Sequence, residues 1–233
     1  MFYGQELFGE ALPILIRFIP VTLFYFLVPT GISLLLGAWI CKVRVGKKGI
    51  LYRIVSLFVS FFRGTPGLLQ LYLVFFGLPQ IAALFGADIY RWHPGFFYIV
   101  ATCLNFSSFV SEAYRGAYEA IDTGQVEAGI TIGFNRFQNF IYVIAPLTLK
   151  TALPNLKNLE IDLLKGTATA YVIGVVDVMG RADKLVALHR GYGQLWILSA
   201  AGLIYLGINI IVEIFFRQTE KSLRISERGI HAS

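Results

Sequence analysis

Arg63 and Asp162 are the first residues to suggest a chemistry, because each sets a full charge in an otherwise apolar run. Arg63 lies between IVSLFVSFF and LLQLYLVFFG, in the tract Arg63-Gly64-Thr65-Pro66-Gly67. Charges inside a membrane span are costly and by default mark a pathway or a binding site. Two glycines and a proline should break a helix there, and a broken helix is tolerated at membrane depth only against protein or a water-filled cavity. The half-helix that follows would begin with free N–H groups and a positive dipole end, suited to a carboxylate. Arg63 adds a planar guanidinium fork that fits a carboxylate, and Thr65 adds a hydroxyl. On a later run, from about Thr151 to Val176, Asn158, Asp162, Lys165 and Thr169 recur at i, i+4, i+7 and i+11, one polar stripe on a helix. Asp162 suits an ammonium group, with Asn158, Glu160 and Thr169 as secondary candidates. A cation for a carboxylate and an acid for an ammonium together describe an α-amino acid. Structural alternatives stay open: Arg63 can snorkel to headgroups or pair with Glu112 or Asp162, and Lys165 can pair with Asp162. Asn105, Ser108 and Glu112 suit cavity lining and helix packing equally.

The elements that position these residues are spans. The chain has 233 residues, 56% of them hydrophobic and only 15% charged, with a mean hydropathy of +0.67. Soluble domains carry about 25% charged residues, so the expectation is an all-α membrane protein, one transmembrane domain over residues 1–233 with about five spanning helices. A net charge of +6 would suggest nucleic acid in a soluble protein; here it reflects basic residues that hold loops in the cytoplasm. Residues 1–17 read as a short amphipathic lead-in, without the basic start and small-residue cleavage site of a removable signal peptide. Phe18–Cys41 is free of charge and long enough for a core of roughly 30 Å, with kinks expected at Pro20 and Pro29. Lys42, Arg44, Lys47, Lys48 and Arg53 then mark the cytoplasmic side, which puts the N-terminus outside. The interrupted second span covers about Ile54–Pro79, and residues 80–93 form an outer loop. The third span is Pro94–Tyr114, the charged fourth follows, and about Asp177–Gln194 reads as an outer segment. The fifth span, Leu195–Phe216, leads to a cytoplasmic tail with Arg217, Lys221, Arg224 and Arg228. Cys41 and Cys103 have no metal or disulfide spacing and read as packing residues.

Between the third and fourth spans lies a polar interlude, Glu127–Pro146, EAGITIGFNRFQNFIYVIAP. Asp122, with Gln125 three positions on, suits a helix start, and Asn135 with Gln138 suits a second. Val126, Gly129, Ile130 and Gly133 form one small, apolar face. Gly133 is placed to end the first helix in the left-handed conformation, and Pro146 to close the second. Glu127 and Ala128 point away.

This interlude resembles the cytoplasmic EAA loop of ABC-importer permeases, whose pattern is Glu-Ala-Ala, three residues, Gly, nine residues, then Ile-x-Leu-Pro. Glu127, Ala128, Gly133 and Pro146 match in register, with Gly129, Val143 and Ala145 as small or aliphatic replacements. Further stretches are similar to the polar amino acid branch of that family: FFRGTPGLLQLYLVFFGLP at 61–79, SEAYRGAYEAIDTGQVEA at 111–128, and ALPNLKNLEIDLLKGTATAYVIGVVDVMGRA at 152–182. Glu160 departs from the usual aromatic, and Gly166 and Ala168 from the common Asp and Ser. The Lys-Gly-Thr variant and the Val-Asp-Val-Met-Gly run lean towards cystine-type permeases.

The resemblance implies a type I importer-like permease of the bacterial cytoplasmic membrane, with a coupling loop at about 119–150. It implies pairing with a second copy or a sister permease, seating on two ATPase subunits that hold ATP and Mg, and delivery of solute by an extracytoplasmic amino-acid-binding protein. In that family the loop, here Glu127, Ala128, Gly129, Gly133 and Pro146, docks on the ATPase. The chain itself shows no Walker A loop and no metal-spaced His/Cys set, its histidines being His93, His189 and His231. No cofactor is therefore expected on this chain, and its partners are membrane lipid and protein with no nucleic acid. The competing classes are an ion-coupled secondary carrier, which would usually show paired halves, and a channel or scaffold subunit, which would not need Arg63 and Asp162 at membrane depth.

Overall fold

The computed structural model describes residues 2–230, with side chains from 6 to 222; His231 and the side chains of Arg224 and Arg228 lie outside that range. Every regular element among the described residues is helical, as hydrocarbon demands of a chain that must satisfy its own backbone. Helix α1 (Phe2–Ile16) precedes α2 (Ile19–Val45) and α3 (Gly49–Gly64). A broken segment follows: α4 (Gly67–Tyr72), a π turn (Leu73–Gly77) and α5 (Leu78–Leu84). Then come α6 (Pro94–Glu119), α7 (Thr123–Thr131), α8 (Arg136–Asn139), a second π turn (Phe140–Ile144) and α9 (Ala145–Thr167). A 3₁₀ turn (Ala170–Ile173), α10 (Val178–Leu188) and α11 (Gln194–Ile230) complete the order.

Among the described residues four segments are long and apolar enough to cross a membrane: 19–45, 67–84, 94–119 and 194–222. Helix α9 has the length, 23 residues, or roughly 35 Å at the helical rise. Its Lys157, Glu160, Asp162 and Lys165 make it more polar than those four, and it is the helix on which the sequence places the charged fourth of five spans.

Helix α2 packs most extensively along α6. Small residues permit the approach: a Cβ on Gly37 would stand 2.9 Å from Val110 Cβ and 3.2 Å from the Ser107 carbonyl oxygen. Ser33, Ser107, Ser108 and Ser111 are buried at or near the same seam. The hydroxyls of the last three donate to carbonyls three residues back, so small polar residues pack here without orphaned groups. The main core gathers α1, α2, α6, α9, α10 and α11, with Leu15, Val110, Leu164, Val178, Ala182 and Ala200 near its centre. Ala11 and Leu15, four residues apart, seat α1 in it.

Four expectations are corrected. Pro20 starts α2 rather than kinking it, because a missing N–H is harmless in a first turn. Pro146 does not close the second loop helix; it begins α9, and the chain runs from Arg136 to Thr167 through the π turn. The same device precedes Pro79. In both places a widened turn stands where the proline would clash with the carbonyl four residues back. The fourth span starts earlier, at Ala145, and its α-helix ends at Thr167. Last, the segment from Asp177 is no plain outer loop. Helix α10 buries Val178, Ala182 and Leu185, because Asp177 finds partners inside the fold.

Candidate functional site

The break falls at Thr65–Pro66, between α3 and α4. Pro66 has no N–H, so the carbonyl of Phe62, four residues back, loses its helical donor. Gln70 replaces it. Its Nε2 lies within donating distance of three acceptors, Phe62 O (2.9 Å), Thr65 O (3.0 Å) and Thr65 Oγ1 (2.6 Å), which share its two hydrogens. The Thr65 hydroxyl itself donates to Phe61 O at 2.8 Å. Gln70 Oε1 accepts from Asn105 Nδ2 at 2.8 Å, and the same nitrogen reaches Phe62 O at 3.4 Å. Asn105 lies near the middle of α6, while the break itself falls just before the apolar span at 67–84 and not inside one over 54–79 as the sequence suggests. Sequence reasoning missed Gln70, which is only 1% exposed; the available signal was a long amide side chain one helical turn after an intramembrane proline.

Beside the break is a cleft of ≈ 310 Å³. Its walls are apolar or aromatic: Leu68, Leu71, Tyr98, Ala101, Phe106, Phe109, Leu159 and Leu163. Gly67 lets the first turn of α4 reach the cleft, and Gly166 lines it from α9. The polar groups are Thr102, Asn105, Asp162 and Thr169, and Asp162 is the one charged residue in the lining. The exposed stripe on α9 holds Asn158, Asp162, Lys165 and Thr169. Lys165 Nζ stands 3.8 Å from Asp162 Oδ1. The structure thus brings Asp162 and Thr169 to one cleft and leaves Asn158 on the stripe outside its lining.

Arg63 and Thr65 do not join them. Thr65 is committed to the break. Arg63, 46% exposed, stands 3.8 Å from Glu112, with its guanidinium over the Phe109 ring at 5.8 Å. Glu112 anchors the whole cluster. Arg44 is paired to one of its oxygens, and Arg115 donates twice to the other, at 3.1 and 2.7 Å. Arg115 also reaches Glu119 at 2.6 Å. The cluster ties α2, α3 and α6 together, with Arg63 as its loosest member.

Glu160 lies off the stripe, buried at 2% exposure where it accepts from Thr30 Oγ1 of α2 at 2.7 Å. Asp177 is a second buried carboxylate. It caps α10 by accepting from Gly180 N (2.9 Å), and it accepts from Thr22 Oγ1 (3.3 Å) and the Tyr205 hydroxyl (3.0 Å). It therefore joins α2, α10 and α11. Among the described residues no three His, Cys, Asp or Glu gather closely enough to hold a metal ion.

The polar loop is two short helices, each with its own cap. Asp122 caps α7 by accepting from Gly124 N at 2.8 Å; the capping box expected with Gln125 is not formed. Gly133 has φ +92°. Its N–H donates to Ile130 O, and Phe134 N–H donates to Gly129 O, the paired bonds of a Schellman ending. Asn135 and Gln138 form the reciprocal capping box. A Cβ on Gly129 would overlap Asn139 Oδ1, while Asn139 Nδ2 donates to Val126 O at 3.0 Å. The small face of α7 therefore closes on the loop's own second helix. Glu127 and Ala128 are exposed, and so are Ile130, Ile132 (70%) and Phe137 (71%).

Residues 30–225 match the family model described as "Binding-protein-dependent transport system inner membrane component". The L-cystine transport system permease protein TcyL of Bacillus subtilis (strain 168) is 30% identical over 228 residues, 98% of this chain and 95% of that protein. The probable amino-acid ABC transporter permease protein PatM of Vibrio harveyi is 33% identical over 204 residues, 87% of this chain and 88% of its own. Among solved structures, an amino acid ABC transporter crystallised with histidines superposes with a TM-score of 0.76 at 27% identity, covering 92% of this chain and 96% of that one.

Proposed function

The chain belongs to the family of binding-protein-dependent transport system inner membrane components, and as a permease subunit of an ABC importer we propose that it carries a polar amino acid across the membrane. One observation carries the proposal. A ≈ 310 Å³ cleft beside a broken span is lined by apolar walls, three uncharged polar groups and a single carboxylate, Asp162. That volume lies at the small end of ligand pockets, roughly 300–1,000 Å³. Asp162 would take the solute's ammonium group, and the N–H groups at the start of α4 would face its carboxylate. Arg63 lies outside the cleft lining, and a role for it towards the solute carboxylate would require it to leave Glu112 and the Phe109 ring. Relatives named for L-cystine transport and for amino acid transport support this solute class.

Energy enters through the loop. Glu127, Ala128 and the apolar side chains beside them would seat on an ATPase subunit that holds ATP and Mg. An extracytoplasmic binding protein would deliver the solute to a pair of permease subunits. The basic runs of the sequence at 42–53 and 217–228 support a cytoplasmic loop side and an outer N-terminus.

The test is ATP-dependent uptake of radiolabelled L-cystine, L-arginine and L-histidine into proteoliposomes that hold the whole complex, with the binding protein supplied. Asp162→Asn should lower uptake at least about tenfold, the scale of one charge-assisted contact, while the complex still purifies intact. Unchanged uptake would refute the assignment.

A further inference from the structure

We propose that Gln70 is a positioning residue that turns the acceptor end of Asn105 towards the solute's α-ammonium group; this rests on the cleft being the solute site. The argument is one of donors and acceptors. The terminal atom of Gln70 that faces the break lies within 3.0 Å of two backbone carbonyls, Phe62 O and Thr65 O. A carbonyl only accepts, so that atom is the amide nitrogen. The Thr65 hydroxyl has its hydrogen committed to Phe61 O, so it too accepts from Gln70. Gln70 Oε1 must then be the atom facing Asn105, and only the nitrogen of Asn105 can satisfy it, at 2.8 Å. The same Asn105 nitrogen also approaches Phe62 O at 3.4 Å. Both amides are locked, and neither can flip without setting two acceptors face to face.

What remains of Asn105 is Oδ1. No hydrogen bond among the described residues reaches it, and Asn105 lines the cleft together with Asp162. A solute therefore meets a carboxylate for its charge and a fixed acceptor for its direction. Two acceptors suit an ammonium and reject a carboxylate or an acylated nitrogen. The missing N–H of Pro66 thereby becomes, through Gln70, a rule about which end of the solute faces α6.

The experiment uses the purified permease–ATPase complex without binding protein. It measures equilibrium binding of L-cystine, L-arginine, L-histidine and L-glutamine, each beside its N-acetyl derivative. The unmodified complex should prefer the free amine at least about tenfold for the member it binds, since a site built to hydrogen-bond a group discriminates strongly against its loss. Gln70→Met, similar in volume but without donors, should cut that preference below about threefold in a complex that elutes as the unmodified one does. Asn105→Ala should do the same. A full preference in Gln70→Met together with a lost one in Asn105→Ala overturns the role of Gln70 alone. No effect of Asn105→Ala, or no binding by any panel member, overturns the cleft reading and this proposal with it. Should Gln70→Met fail to assemble, a solute-bound structure of the unmodified complex decides. A nitrogen donor within about 3.2 Å of Asn105 Oδ1 supports the proposal, and a carboxylate there refutes it.

Discussion

The break at Pro66 and the loop at Glu127–Pro146 are both polar, glycine-bearing interruptions of an apolar chain, yet they close their backbones in opposite ways. At the break the satisfying groups come from a distance: Gln70 one turn on, and Asn105 from another span. In the loop every cap is local, from Asp122 to Gly124, from Asn135 to Gln138, and across Gly133. Water is absent from the bilayer core, so an orphan carbonyl there must find protein. At the loop, water can cover for any group the caps leave. The consequence is functional. The break consumes its own polar groups and leaves one oriented acceptor and one acid facing a small cleft. The loop's caps consume Asp122, Asn135 and Gln138 and leave Glu127 exposed beside isoleucine and phenylalanine side chains, a surface for protein.

Breaking the long-range closure should be the more damaging. Next to the break, Glu112→Gln removes the counter-charge of Arg44, Arg63 and Arg115 in the ion cluster that ties α3 to α2 and α6, at a largely buried site. We expect it to destabilise the purified permease by about 3 kcal/mol, the scale for breaking a buried pair, read as a fall in thermal midpoint. In the loop, Gly133→Val forces a β-branched residue into the left-handed region, at about 1–3 kcal/mol. Its expected signature is loss of ATPase from the purified complex with amino acid binding at the cleft unchanged. Asn135→Ala removes one half of the capping box and should cost about 1 kcal/mol, visible as faster hydrogen exchange confined to residues 135–144. Glu127→Lys, at an exposed position, should leave the thermal midpoint where it is and lower uptake per ATP hydrolysed. A comparable loss of solute binding in the loop variants would erase the division between the two regions.

Much of this was legible in one dimension. The Asn135–Gln138 box and the left-handed Gly133 depend on residues three to five apart, so the local code contains them whole. The stripe Asn158, Asp162, Lys165 and Thr169 follows from helical period alone. Gln70 was legible in principle, because the residue that fills a proline's gap sits four positions beyond it. Pro146 was misjudged because a proline that ends one helix and a proline that begins the next differ only in whether a π turn absorbs the strain.

The sequence by itself determined which segments are apolar enough to span, where the second span must break, and where short helices are capped. Period, proline chemistry and side-chain donors act over a few residues. Only the tertiary structure decided what the charges meet. Arg63 turns to Glu112 and away from Asp162 because α6 presents the nearer carboxylate. Glu160 and Asp162 part company because two residues along a helix are about 200° apart, which sends one into α2 and the other into the cleft. Asp177 leaves the surface because Thr22 and Tyr205 wait inside, 155 and 28 positions away in the chain. Hydrogen bonds and ion pairs of that reach have no signature in spacing; they exist only once the spans are packed.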